Sequence, residues 1–378
     1  MPIRCSLLNM LLKDILQRDR NNFELLRLIA ASVVIVGHAH NLSGDTSGRD
    51  FVLEYLRFDY SGGLAVKFFF LLSGLVVTNS LLANPSLRRF AAARIARIFP
   101  ALIVVILLTA CVMGPLLTTL PVGTYLGSHE TLLYVWQNLK LHSNYVLPGV
   151  FENAPEKGVN GAIWTIPVEC FCYVALAAVS LTGLMRNRVL FSLVFVAFGA
   201  VLLRYPQVVP RLYLPLASAP IVIYFVAGVL LATWKDRVAL NGPILLALLA
   251  ATYLFRDTEA LRYFACATLF LGAIWLSTLP VVRKLRLPGD FSYGTYLSGW
   301  IMQQLIHAAF PSMGAMGNWM LAVPLAIGFG VISWYLIEQP GMRLGKAIGT
   351  GRLRVAPPAA PPAAADDGII TPIAPLSS

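Results

Sequence analysis

An arginine and a histidine eleven residues apart, Arg27 and His38, lie inside the apolar run between Asn22 and Asn41. Eleven residues is close to three helical turns, so a helix places both on one face, about 16 Å apart along its axis at ~1.5 Å per residue. An ionisable group at mid-membrane depth costs on the order of 2.5–3.5 kcal/mol and by default marks a functional site facing the protein interior. A neutral imidazole there is suited to taking a proton near pH 7. His40, roughly 200° around the helix from His38, points elsewhere. A snorkelling arginine and an interfacial histidine would give the same pair, so the reading needs further polar groups.

Two such groups follow. Arg94-Ile-Ala-Arg97 puts two guanidinium groups on one helix face, able to grip phosphate oxygens through charge-assisted bonds, although a cytoplasmic anchor would look the same. In Trp164-Thr-Ile-Pro-Val-Glu169, the carboxylate enters an apolar helix about two turns from its outer end, with Tyr173 one turn on along the same face. A buried carboxylate needs a partner or a raised pKa, and its depth puts Glu169 on the His38 side of the bilayer, where it could orient or charge-balance the imidazole; a structural tie between helices is the other reading. Weaker signals are Phe68-Phe-Phe-Leu-Leu-Ser73-Gly74, where Ser-Gly reads as a close-packing device, the block Phe291-Ser-Tyr293-Gly294-Thr-Tyr296-Leu297, and Glu338-Gln-Pro340.

The elements that carry these residues are membrane helices. The chain has 378 residues, 57% of them apolar and 12% charged, with mean hydropathy +0.72; soluble proteins average about 25% charged. Apolar runs at about 24–40, 63–84, 98–119, 161–183, 189–203, 212–233, 240–255, 262–280, 290–310 and 318–338 predict an all-α, polytopic helical bundle of about ten spans, the fifth and seventh short. With the N-terminus inside, nineteen of the 29 Lys and Arg fall on the cytoplasmic side and nine outside, which predicts both termini in the cytoplasm. The net charge of +11 is spread over many short loops, so topology accounts for it better than nucleic acid does. Cys5, Cys111, Cys170, Cys172 and Cys266 match neither a redox nor a zinc spacing and read as small core residues.

No cleavable leader is evident in residues 1–23, so the first span is expected to stay as an anchor. The connection from Leu120 to Gly161 is expected outside the membrane, carrying His129, Glu130, His142, Glu152 and Glu156. Residues 1–349 are expected to form one transmembrane domain. Residues 350–378, rich in Pro and Ala, are expected to form a disordered cytoplasmic tail.

In order and spacing, these motifs together resemble the acyltransferase-3 family of integral membrane acyltransferases. The resemblance covers about residues 20–345 and rests on Arg27 with His38, the Phe-Phe-x-x-Ser-Gly ending at Gly74, Arg94 to Pro100, Trp164 to Glu169, and Ser292 to Leu297. Many members carry a histidine soon after the last block; here Ser298-Gly299-Trp300 and then Gln303-Gln304 follow, so no second catalytic histidine is assigned. The resemblance implies transfer of an acyl group, acetyl by default, from cytoplasmic acyl-CoA to a hydroxyl of a cell-surface polysaccharide such as exopolysaccharide or lipopolysaccharide, or of its lipid-linked precursor. Arg27, Arg94 and Arg97 would hold the CoA phosphates, and His38 would act as general base with Glu169 beside it. No metal is expected, because no cluster has ligand spacing. A bacterial plasma membrane is the expected location, with membrane lipid as a partner and no nucleic acid. A transporter or flippase for a glycan or lipid intermediate is the competing class; it explains the spans but not a polar helix face running from Arg27 to His38. The absence of inverted repeats also weakens it.

Overall fold

The computed structural model describes residues 10–205 and 218–351. Every one of the ten apolar runs is a helix there. They are α1 (Phe23–Ser43), α2 (Ser61–Ala83), α3 (Leu87–Leu117), α4 (Thr165–Leu181), α5 (Arg188–Arg204), α6 (Ser218–Thr233), α7 (Gly242–Leu254), α8 (Leu261–Leu276), α9 (Ser292–Ala309) and α10 (Ala315–Thr350). Among the described residues, five helical segments are long and apolar enough to cross a bilayer: α1, α2, α3, α4 with its preceding turn, and α10. Three more, α6, α7 and α8, are apolar but shorter. The sixth run was expected to begin at 212, and residues 212–217 lie outside the described residues, as do Arg4, Cys5, Arg211 and nearly all of the expected tail. The strand pairing among the described residues is one antiparallel contact of two residues each, Met10–Leu11 with Ala239–Leu240.

An apolar surface facing outward is what a bilayer tolerates and water does not. In α7 no residue is buried, and Leu246, Leu249, Tyr253 and Leu254 are all exposed. The chain is thus built as an integral membrane protein whose interior lies around α2. That helix packs closely on α6 and α1. At the α2–α6 crossing a Cβ on Gly74 would run into the Phe225 carbonyl, and one on Gly228 into the Leu71 carbonyl. The Ser73-Gly74 pair therefore does serve close helix approach, as its sequence predicted.

Caps fix the helices that carry the polar groups. Asn22 accepts from the Leu25 amide to start α1, and its side-chain amide donates to the carbonyls of Val282 and Leu285, pinning that start beside the entry to α9. Asn160 caps the 3₁₀ turn Gly161–Trp164 ahead of α4 and donates to the Leu297 carbonyl of α9 at 2.9 Å. In α10 a π turn, Trp334–Glu338, shifts the register of the helix; such turns recur at functional sites.

Two expectations are corrected, and the 120–161 connection proves to hold short helices. α3 begins at Leu87, eleven residues ahead of the apolar run, so Arg94 and Arg97 lie inside the helix rather than opening it. Arginine is a good helix former, and apolar counting alone missed those turns. The 120–161 connection is partly folded, with short helices Val122–Gly127 and His129–Leu139, and Tyr125 and Tyr134 are fully buried beneath it. The cysteines divide: Cys172 and Cys266 are buried, Cys170 is half-buried and Cys111 is exposed. The helix around Cys111 turns that face outward, where a membrane protein needs no packing partner.

Candidate active site

Two polar regions lie at different depths of one bundle. The first is a cavity of about 600 Å³ enclosed by α1, α2, α3, α4, α9 and α10. Its lining on α2 extends from Val66 to Leu81, about 22 Å at ~1.5 Å per residue. Exposed Arg89 and Lys346 mark its mouth, together with Asn84 and Thr350.

Within the cavity wall, the Arg97 guanidinium forks between two carboxylates, donating to Glu338 Oε2 at 2.6 Å and to Asp290 Oδ2 at 2.8 Å. Arg27 donates to the same Asp290 oxygen at 3.2 Å. The Ser292 hydroxyl holds the other Asp290 oxygen at 2.5 Å, and the Ser333 hydroxyl holds Glu338 Oε1 at 2.9 Å. Arg97 also covers the Tyr293 ring at 5.4 Å. Two arginines and two carboxylates balance, and four parts of the chain, α1, α3, the entry to α9 and α10, are tied together. The π turn of α10 carries Glu338, which is fully buried, into reach of Arg97.

Arg94, one turn nearer the mouth, is different. Among the described residues it makes no ion pair, and its guanidinium lies 5.7 Å from the centre of the Tyr173 ring. Arg27, Arg94 and Arg97, expected to hold phosphates together, thus differ in their partners. All three line the cavity, but Arg27 and Arg97 are held by carboxylates of the chain itself.

Glu169 also lines this cavity. Its Oε1 accepts from the Tyr173 hydroxyl, whose oxygen lies 2.8 Å from Ser73 Oγ. Since the single tyrosine proton goes to Glu169, Ser73 donates to Tyr173. The expected pairing of Glu169 with His38 is not present, and no hydrogen bond or ion pair joins them. The physical reason is local, because Tyr173 one turn along α4 already satisfies the carboxylate.

His38 forms the second region. Its ring meets Trp300 edge-on, with centroids 4.9 Å apart, and Tyr60 at 5.8 Å. No protein hydrogen bond engages the His38 ring among the described residues. Trp300 is fixed by its indole N–H, which donates to the Gly158 carbonyl at 2.8 Å, and a Cβ at Gly161 would collide with its ring. Burial, with Asp59 and Asp50 nearby, pushes the Tyr60 phenol up to about 12, so it stays protonated beside His38. His40 turns away towards the Asp45 carbonyl. Gln303 donates to the Ile35 carbonyl at 2.9 Å, and Gln304 to the carbonyls of Glu156 and Gly158. Two glutamines thus fasten α9 to α1 and to the 120–161 connection.

Residues 20–338 match the acyltransferase domain family. The chain belongs to the acyltransferase-3 family. Among its relatives, nodulation protein 10 of Rhizobium leguminosarum bv. viciae is 31% identical over 379 residues, covering 89% of this chain and 97% of that protein. An O-acetyl transferase of Shigella phage Sf6 is 25% identical over 326 residues, covering 84% of this chain and 95% of that protein. No solved structure matches. In this acyltransferase-3 protein the matched region contains Arg27, His38, Arg94, Arg97, Glu169, Asp290 and Glu338.

Sequence reading passed over Asp290 and gave Glu338 only a passing place. Asp290 directly precedes the Phe291–Leu297 block, and a lone acid at the start of an apolar run is a usable signal. Glu338 sits at the end of a run, where an exposed interfacial acid is the ordinary reading. Only the fold brings Arg97 to it.

Proposed function

We propose that this acyltransferase moves a short acyl group, acetyl by default, from acyl-CoA to a hydroxyl of a cell-surface polysaccharide or its lipid-linked precursor. The supporting observation is the cavity: it opens among cations that make no ion pair among the described residues and runs inward towards the end of the bundle that carries His38. Arg94, with Arg89 and Lys346 at the mouth, supplies positive charge for the donor phosphates. Arg27 and Arg97 shape the wall while balanced by Asp290 and Glu338. An extended pantetheine arm then carries the thioester down the cavity. The name of the phage relative, an O-acetyl transferase, favours oxygen as the acceptor atom and acetyl as the group.

In the proposed step His38, whose ring carries no protein hydrogen bond, takes the proton of the acceptor hydroxyl. The hydroxyl oxygen bonds to the thioester carbonyl carbon, the C–S bond breaks, and CoA leaves as the thiolate and collects the proton. Glu169 acts within the donor cavity through Tyr173 and Ser73 and not as a direct partner of the imidazole.

The test incubates membranes holding wild type or His38→Ala with labelled acetyl-CoA and extracted envelope glycans, then measures base-labile label in carbohydrate. Loss of a general base is worth about 10²–10⁴-fold. Label in the wild type that falls by that factor in His38→Ala at equal protein level supports the reading. Equal labelling by both proteins removes His38 from the mechanism, and no labelling by either removes the donor or the acceptor.

A further inference from the structure

The donor cavity stops short of His38. At its deep end it is lined by Val66 of α2, Thr165 of α4 and Tyr296 of α9, whereas His38 is edged by Trp300, one turn beyond Tyr296 on α9, and by Tyr60, just ahead of α2. Tyr296 lies one helical turn, about 5.4 Å, before Trp300, so its ring lines the end of the cavity nearest the His38 region. The ring is 9% exposed. Its hydroxyl donates to the Ala162 carbonyl at 2.8 Å and lies 2.7 Å from the Thr165 hydroxyl, while Phe69 packs against it at 6.0 Å between centroids. A ring held by a backbone carbonyl and a neighbouring hydroxyl is a fixed wall.

We infer that Tyr296, backed by Phe69 and Thr165, sets the length of acyl group the enzyme accepts. The inference rests on the acyl-CoA reading above. A donor whose phosphates are anchored at the cationic mouth delivers its thioester at a fixed depth. Atoms beyond the thioester carbonyl then meet the Tyr296 ring, so a short acyl group fits and a long one collides. Tyr296 is a specificity-determining residue here and takes no proton in the reaction.

Transfer from acetyl-, butyryl- and hexanoyl-CoA is measured in membranes for wild type, Tyr296→Ala, Tyr296→Phe and Phe69→Ala, each scored as kcat/KM relative to acetyl. A pocket that accepts or excludes one methylene discriminates by about 10–200-fold. The expected result is a hexanoyl-to-acetyl ratio raised at least ~10-fold in Tyr296→Ala and in Phe69→Ala, with Tyr296→Phe, which keeps the ring, close to wild type. A general loss of folded protein lowers all three donors together and leaves the ratio unmoved, so the ratio isolates the wall. Where Tyr296→Ala does not accumulate, Phe69→Ala decides. Unchanged ratios in a wild type and variants that all transfer acetyl overturn the wall alone. A wild type that transfers no acyl group from any of the three donors overturns the acyl-CoA reading, and the wall with it.

Discussion

Arg94 and Arg97 are three residues apart, belong to one motif and do different work. Arg97 is neutralised by Asp290 and Glu338, and Arg94 faces the cavity without a carboxylate. Arg94→Ala should therefore raise KM for acyl-CoA by roughly 10-fold or more, since a hydrogen bond to a charged group is worth about 1.5–3 kcal/mol, while leaving the thermal midpoint of the solubilised protein unchanged. Initial-rate kinetics and a melting curve on one preparation check both halves. Asp290→Ala should do the opposite first. It strips the shared partner from two half-buried arginines, and breaking a buried pair from one side costs about 3–5 kcal/mol. A melting midpoint equal to wild type would show that Asp290 carries no such load. At Tyr173, replacement by Phe leaves Glu169 and Ser73 without their common partner, with an expected stability loss of about 1–3 kcal/mol. The same melting assay reads it.

At the scale of elements, two crossings hold the site. α2 and α6 touch through backbone at Gly74 and Gly228. Gly74→Val should force them apart at a cost of about 1–3 kcal/mol and displace Ser73 from Tyr173, so both stability and transfer should fall. Leu82→Val, two turns along α2 and half-buried, serves as the control, and an equal effect in the two variants would refute the crossing argument. α1 and α9 run side by side in one direction, tied at one end by Asn22 to Val282 and by Arg27 to Asp290, and at the other by Gln303 to Ile35. This pairing orders the cavity wall and then Trp300 along α9. It places His38 near the end of the cavity rather than in its lining.

For the whole molecule, the orientation drawn from Lys and Arg, with ten spans and both termini inside, is a proposal that labelling can test. In a background with the native cysteines replaced, Arg88→Cys should be shielded from a membrane-impermeant thiol reagent in intact cells, and Glu152→Cys should be labelled. The reverse pattern would invert the protein and move the cationic mouth to the outer face. The helical class, the ten apolar runs and the motif residues were legible in the sequence, because exclusion of water and the cost of buried charge act on each segment separately. Helix starts set by capping and by tolerated arginines were less legible, as α3 shows at Leu87. The partners of the charges were not legible. Sequence depth pairs Glu169 with His38, and the fold instead gives Glu169 to Tyr173, Arg97 to Asp290 and Glu338, and His38 to two aromatic rings. Residue type and period determined which groups must be buried. Which groups meet depended on helix crossings between segments up to 268 residues apart, a property that no single helix carries.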